Sequence, residues 1–164
     1  IADHGTAILA SRENLDIPDA ITSDCAPLNH LVRMMMKTGS KVRLLRDPTR
    51  GGLATILNEI AQNSGLSIKI NESSILVKKE VSAFCGILGI DPLYVANEGK
   101  LVAVVPEKDA EALVSIMRTH ELGKDASVIG EVLSQENSNV IMKTRIGGER
   151  IIPMLTGEQL PRIC

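Results

Sequence analysis

Apolar residues recur at helical spacing in four stretches of the chain, and between them the pattern alternates or breaks in ways that predict strands and turns. Leu28, Leu31, Val32 and Met35 make the first stripe, with Ser23 or Asp24 as helix cap, Pro27 in the first turn and Gly39 as the stop. Leu53, Ile56, Leu57 and Ile60 make the second, Val81, Phe84, Cys85 and Leu88 the third, closed by Gly89, and Ala110, Leu113, Val114 and Met117 the fourth. Strands are expected over residues 6–10, 42–46 and 66–70, the last alternating cleanly with one wet face. Two more, at 94–96 and 101–105, flank an Asn97-Glu98-Gly99 turn, and another runs through 128–133 with Gly130 as a bulge. Residues 140–146 and 150–152 flank Gly147-Gly148, a two-residue loop of hairpin type. Four helices among about seven strands predict an α+β domain, a mixed β-sheet layered with α-helices.

The pattern stops near residue 154. Residues 155–161 show neither period and carry Gly157 and Pro161, so the expected division is a folded domain over 1–154 and an extended, mobile tail over 155–164. The tail ends in Cys164, either a thiol carried away from the surface on an arm or an incidental residue at a frayed end.

Composition narrows the function classes. At 164 residues the chain can build one proper core. A net charge of -2, with Phe84 and Tyr94 as the sole aromatics, argues against a nucleic-acid surface, which needs cations and stacking rings. No apolar run reaches membrane-spanning length and no signal-peptide pattern opens the sequence. Cys25, Cys85 and Cys164 are widely spaced, with no Cys-x-x-Cys pair and no Cys/His cluster, so neither a disulfide framework nor a metal site is assigned and a reducing cytoplasm fits. The chain opens on Ile1 and reads as a piece of a longer protein.

Several residues carry candidate chemistry. Asp47-Pro48-Thr49-Arg50-Gly51-Gly52 joins a strand to a helix whose first turn holds two glycines, each weakening the helix by about 1 kcal/mol relative to Ala. Bare N–H groups at a positive helix end suit an anion, with Thr49 as a possible cap and Asp47 as a metal ligand or orienting group. A tight crossing where Cβ atoms would collide explains the glycines equally well, and the Gly-Lys-Ser/Thr ending of a Walker A loop is absent. Asp3 and His4 are an acid/base pair or a solvated loop beside Gly5. Glu98 is disfavoured in a tight turn, which makes it either a general base on a rigid support or an exposed residue without a role. Cys25 at a helix start is better read as a small buried residue than as an activated thiol, Cys85 as an inert core thiol, and Met34-Met35-Met36 as core filler.

The run Asp47-Pro48-Thr49-Arg50-Gly51-Gly52-Leu53 resembles the signature of the C-terminal domain of the aminoimidazole-ribonucleotide-synthetase (PurM-like) superfamily, whose members use ATP to activate amide oxygens or related groups. Within it, Asp3-His4-Gly5, Ser23-Asp24-Cys25-Ala26-Pro27-Leu28, Val95-Ala96-Asn97-Glu98-Gly99-Lys100 and the ending Pro161-Arg162-Ile163-Cys164 are similar to the HypE family of NiFe-hydrogenase maturation proteins. The resemblance covers essentially the whole chain, and its ending is the most specific part. It implies that Cys164 receives a carbamoyl group from the carbamoyltransferase HypF. ATP then phosphorylates the carbamoyl oxygen, phosphate and a proton leave, and the resulting cyanide passes to iron on a HypC–HypD scaffold complex. It further implies that Glu98 deprotonates the carbamoyl nitrogen with Asn97 orienting it. Asp47, Thr49, Gly51 and Gly52 would border the ATP phosphates, with His4 and Asp3 at the same cleft. Most contacts to ATP and Mg²⁺, and the homodimer interface, would belong to an N-terminal half absent from this sequence. The competing readings are another ATP-dependent enzyme of the superfamily, a non-catalytic domain whose tail docks a partner, and a redox-switch tail.

Overall fold

The structure, a computed structural model, describes residues 1–13, 21–134 and 137–157. Its centre is a helix laid on a mixed sheet. The helix is α3 (Gly52–Ser64), whose Leu53, Ile56, Leu57 and Ile60 form the expected stripe and are all buried. They pack with Ile68, Ile70, Val140, Met142 and Ile152. The sheet has four strands: β2 (Ser67–Asn71), β4 (Gly130–Leu133), β5 (Val140–Lys143) and β6 (Glu149–Ile151), in the order β4-β2-β5-β6. The β2 strand is antiparallel to β4 and parallel to β5, and β5 is antiparallel to β6, so the sheet is mixed as expected. A second, two-stranded sheet pairs β1 (Leu44–Arg46) with β3 (Val102–Val104) antiparallel.

The remaining helices are α1 (Asp3–Arg12), α2 (Asn29–Lys37), α4 (Lys79–Leu88) and α5 (Glu107–Met117). The α1 and α4 helices share Leu9, Ala10 and Phe84, and beside them Ala2, Val81, Cys85 and Val95 close a further small core. The third and fourth predicted stripes therefore lie on α4 and α5, and Gly89 ends α4 as expected.

Five local expectations are corrected. Residues 6–10 are helix, not strand: the buried side of α1 is Asp3, Gly5, Thr6, Leu9 and Ala10, a helical face written in small and polar residues that an apolar count misses. The α2 helix starts later than expected, with Leu28 at its N-cap and no side-chain cap; residues 21–28 form no regular element. Residues 94–96 are not a strand, because Pro92–Tyr94 is a 3-10 turn capped by Asp91. Gly130 is no bulge, since β2 and β4 pair residue for residue from Ser67–Leu133 to Ile70–Gly130. The β5–β6 hairpin also differs from a two-residue loop: the Thr144 N–H donates to the Gly148 carbonyl at 2.8 Å, leaving Arg145-Ile146-Gly147 as a three-residue loop.

Candidate active site

The Asp47–Gly52 run sits where β1 hands over to α3, and its glycines answer the question of crossing against anion site in a specific way. Gly51 is the N-cap of α3 at φ 68° and Gly52 follows at φ 62°, both left-handed, and neither Thr49 nor any other side chain caps the helix. A Cβ on Gly52 would lie 2.5 Å from the Leu93 carbonyl oxygen and 2.6 Å from that of Val95. Gly52 is therefore needed for the close passage of the 93–95 backbone, and its N–H is already donated to the Thr49 carbonyl at 3.1 Å.

That passage brings the Asn97-Glu98-Gly99 turn against the Asp47–Gly52 loop. Asn97 is fully buried and ties the two together. Its Nδ2 donates to the carbonyls of Pro48 (3.1 Å) and Val95 (3.0 Å), its Oδ1 accepts from the Ala2 N–H (2.7 Å), and its own N–H donates to Pro48 O at 3.1 Å. With both amide hydrogens committed to backbone, Asn97 positions the turn itself. The side chain of Glu98 then lines a cleft of about 270 Å³ together with Arg46, Asp47, Thr49, Arg50, Ile56 and Glu59.

Three of the sequence candidates, Asp47, Thr49 and Glu98, thus share one cleft although up to fifty-one positions separate them. Gly51 and Gly52 adjoin Arg50 but do not line it, and neither does His4. His4 Nδ1 is 2.8 Å from Ser23 Oγ, whereas Asp3 is buried and ion-paired with Lys78 (2.5 Å) and Lys100 (3.5 Å). The neighbours Asp3 and His4 therefore serve different partners and make no acid/base dyad with each other. Cys164 and residues 158–163 lie outside the described residues.

Arg50 and the Arg46–Glu59 ion pair (2.8 Å) also belong to the cleft and went unnoticed as site residues. Arg50 is signalled by its place inside the glycine-bearing run. No sequence spacing points to Arg46 and Glu59, since β1 and α3 bring them together. The exposed Arg50 guanidinium and the half-buried Thr49 hydroxyl suit a phosphate, and Asp47 and Glu98 supply carboxylates beside it. Among the described residues no group of three or more His, Cys, Asp and Glu side chains gathers as for a metal ion. Of the other thiols, Cys85 is buried, and burial pushes its pKa up against a weak contact from the Thr6 hydroxyl, so it stays neutral as expected. Cys25 is exposed rather than buried, because residues 21–28 lie outside the helix that would have covered it.

The family of the AIR synthase related protein, C-terminal domain, matches residues 1–143. The chain belongs to this family. It is 52% identical over 164 residues to the protein named carbamoyl dehydratase HypE of Cupriavidus necator, covering 100% of this chain and 47% of that one. Among solved structures it matches hydrogenase maturation protein HypE in complex with ATP, at 43% identity and a TM-score of 0.93, over 100% of this chain and 50% of the other. It also matches a HypE–HypF complex, at 46% identity and a TM-score of 0.87, over 93% and 50%. The chain spans about half the length of the curated relatives it matches. No helix among the described residues is long and apolar enough to cross a membrane.

Proposed function

We propose that this chain is the C-terminal part of a hydrogenase maturation factor that carries a carbamoyl group on Cys164 and, with ATP, dehydrates it to a thiocyanate whose cyanide is destined for the iron of a NiFe centre. The observation that carries the reading is the shared cleft of Asp47, Thr49, Arg50 and Glu98. The likeness to a carbamoyl dehydratase and to an ATP-bound HypE supports it. In this reading residues 1–154 are the domain and 155–164 the arm that brings the sulfur to the cleft.

The chemistry then runs in two stages. The Cys164 thiolate attacks the carbonyl carbon of the carbamoyl donor, forming the S–C bond and expelling the donor's leaving group. The carbamoyl oxygen is next phosphorylated at the expense of ATP. As the nitrogen gives up its protons, one of them to the Glu98 carboxylate, the C–O bond breaks, phosphate departs and a C≡N unit remains on sulfur. Arg50 and Thr49 hold phosphate oxygens, and Asn97 keeps Glu98 opposite them. Mg²⁺ is commonly held by one or two carboxylates together with substrate phosphates, and Asp47 is a carboxylate of that kind, which leaves Glu98 to take the proton. At about 270 Å³ the cleft falls just below the range of about 300–1,000 Å³ usual for small-molecule sites. It therefore takes the phosphate end, and the remainder of the nucleotide and its Mg²⁺ contacts fall to the other half of the full-length protein.

The partners follow from the same reading: HypF as carbamoyl donor, a HypC–HypD complex as cyanide acceptor, and a second copy in a homodimer, all in the cytoplasm. Intact mass spectrometry of the full-length protein with its carbamoyltransferase, carbamoyl phosphate and ATP tests it. One carbamoyl group is expected on Cys164, followed by ATP-dependent loss of one water. Cys164→Ala should accept nothing, and Glu98→Gln should accumulate the carbamoyl stage and lose water only slowly. A wild-type protein without an adduct on Cys164 would overturn the proposal and return the tail to a docking or redox role.

A further inference from the structure

We propose that Asp24 is a positioning residue for Glu98, holding the base through its backbone from the side opposite Asn97. The inference rests on the reading in which Glu98 takes a proton from the carbamoyl nitrogen, and it adds a residue to that machinery. The Asp24 side chain is only 8% exposed, and its two oxygens bracket the turn. Oδ1 accepts from the Glu98 N–H at 3.1 Å and Oδ2 meets Lys100 Nζ at 2.8 Å. The backbones are equally close: a Cβ on Gly99 would strike the Asp24 carbonyl, so this turn fits against residues 24–26 only with glycine there.

Beyond Asp24 the charged contacts continue. Lys100 Nζ is 3.5 Å from Asp3 Oδ2, and Asp3 Oδ1 is 2.5 Å from Lys78 Nζ. Asp3 lies in the first turn of α1 and Lys78 is the N-cap of α4, so the line of charges anchors Asp24 to two helices. Residues 95–101 form no strand or helix that could fix Glu98 by itself. Its neighbourhood is held at backbone points that include the Gly5 N–H on Ala96 O at 3.0 Å, the Asn97 N–H on Pro48 O and the Glu98 N–H on Asp24 Oδ1, the last two 3.1 Å long. With the main chain held on both sides, the carboxylate is presented to the cleft it shares with Asp47, Thr49 and Arg50. Proton transfer requires hydrogen-bond reach, and a displacement of about 1 Å can cost on the order of 100-fold in rate.

The test uses full-length protein with Cys164 already carbamoylated, adds ATP, and follows loss of water by intact mass in a single turnover. Asp24→Ala should slow this step on the order of 10- to 100-fold while leaving the rate of carbamoyl loading unchanged. Asp24→Asn, which keeps an oxygen for the Glu98 N–H, should recover most of the rate, a rescue that a merely structural role would not give. Adding Asp24→Ala to Glu98→Gln should cost nothing further, because there is no base left to position. Equal slowing by Ala and Asn, equal loss in loading and dehydration, or an additive loss on Glu98→Gln would each overturn the proposal. Should Asp24→Ala fail to fold, Asp24→Ser keeps a polar group but withdraws the acceptor from the Glu98 N–H; dehydration slowed about 10-fold with loading intact is then expected, and an unchanged rate overturns the proposal. A wild-type protein that takes no carbamoyl group, or a Glu98→Gln protein that dehydrates normally, fails at the earlier step and removes the base itself.

Discussion

Buried polar side chains do much of the ordering around Glu98. Asn97 satisfies three backbone groups from three separate parts of the chain, at Ala2, Pro48 and Val95. Losing any of these partners inside the protein costs about 1–3 kcal/mol per orphaned group. Asp24 does similar work with a charge. Burial alone would raise its pKa, but the hydrogen bond from Lys100 and that from the Glu98 N–H outweigh burial and hold the carboxyl below its ordinary value. A carboxyl with a depressed folded-state pKa stabilises the fold at pH above its unfolded value, about 3.9, and that contribution disappears as pH falls through the folded value. Thermal melts from pH 6 down to pH 3 should therefore show the wild-type advantage over Asp24→Asn shrinking below about pH 4. A gap between the two that stays constant over this range would refute the assignment of the shift to Asp24.

At the level of elements, the start of α3 is the feature that places the cleft. Gly52 allows the 93–95 backbone to pass within contact of the helix end, and that passage delivers Asn97 and Glu98 to Pro48 and Asp47. Gly52→Ala meets two costs, a left-handed φ of 62° and carbonyl oxygens at 2.5 and 2.6 Å from the new Cβ. Strain of about 1–3 kcal/mol from each source predicts a loss of about 2–6 kcal/mol, measured by denaturant unfolding. A change below about 0.5 kcal/mol would show that the crossing is looser than this geometry requires. The same elements show how far sequence reasoning reaches. The stripes on α3, α4 and α5 were legible because their buried faces are apolar and evenly spaced. The α1 helix was not, because Asp3, Gly5 and Thr6 are buried by ion pairs and close backbone contact rather than by apolar transfer. The Asp47–Gly52 run announced both a tight crossing and a loop with chemistry, but not that Gly52 serves the first while Arg50 joins Thr49 at the cleft. Glu98 could be singled out because it is a poor turn former, whereas Arg46 and Glu59 meet only through the packing of β1 beside α3.

Across the whole molecule, the described charges of the cleft come from the end of β1, the loop that follows it, the body of α3 and the turn at Glu98. In the proposed reading these groups make up one wall of a nucleotide site. A wall is not an enclosure: a cleft of about 270 Å³ cannot exclude water from a triphosphate, and protected phosphoryl transfer depends on such exclusion. The folding side of the ledger is different. The α3–sheet core gathers thirteen buried residues in a single cluster, enough to hold the domain together without help from a second half. Expressed alone, this chain should therefore unfold cooperatively on heating, yet release no phosphate from ATP above background, while the full-length protein does so once its Cys164 is carbamoylated. Calorimetry and a phosphate-release assay on the two proteins decide the matter. A chain that does not melt cooperatively would mean that the missing half completes the core. Robust ATP turnover by the chain alone would mean that the cleft of Asp47, Thr49, Arg50 and Glu98 is sufficient for phosphoryl transfer.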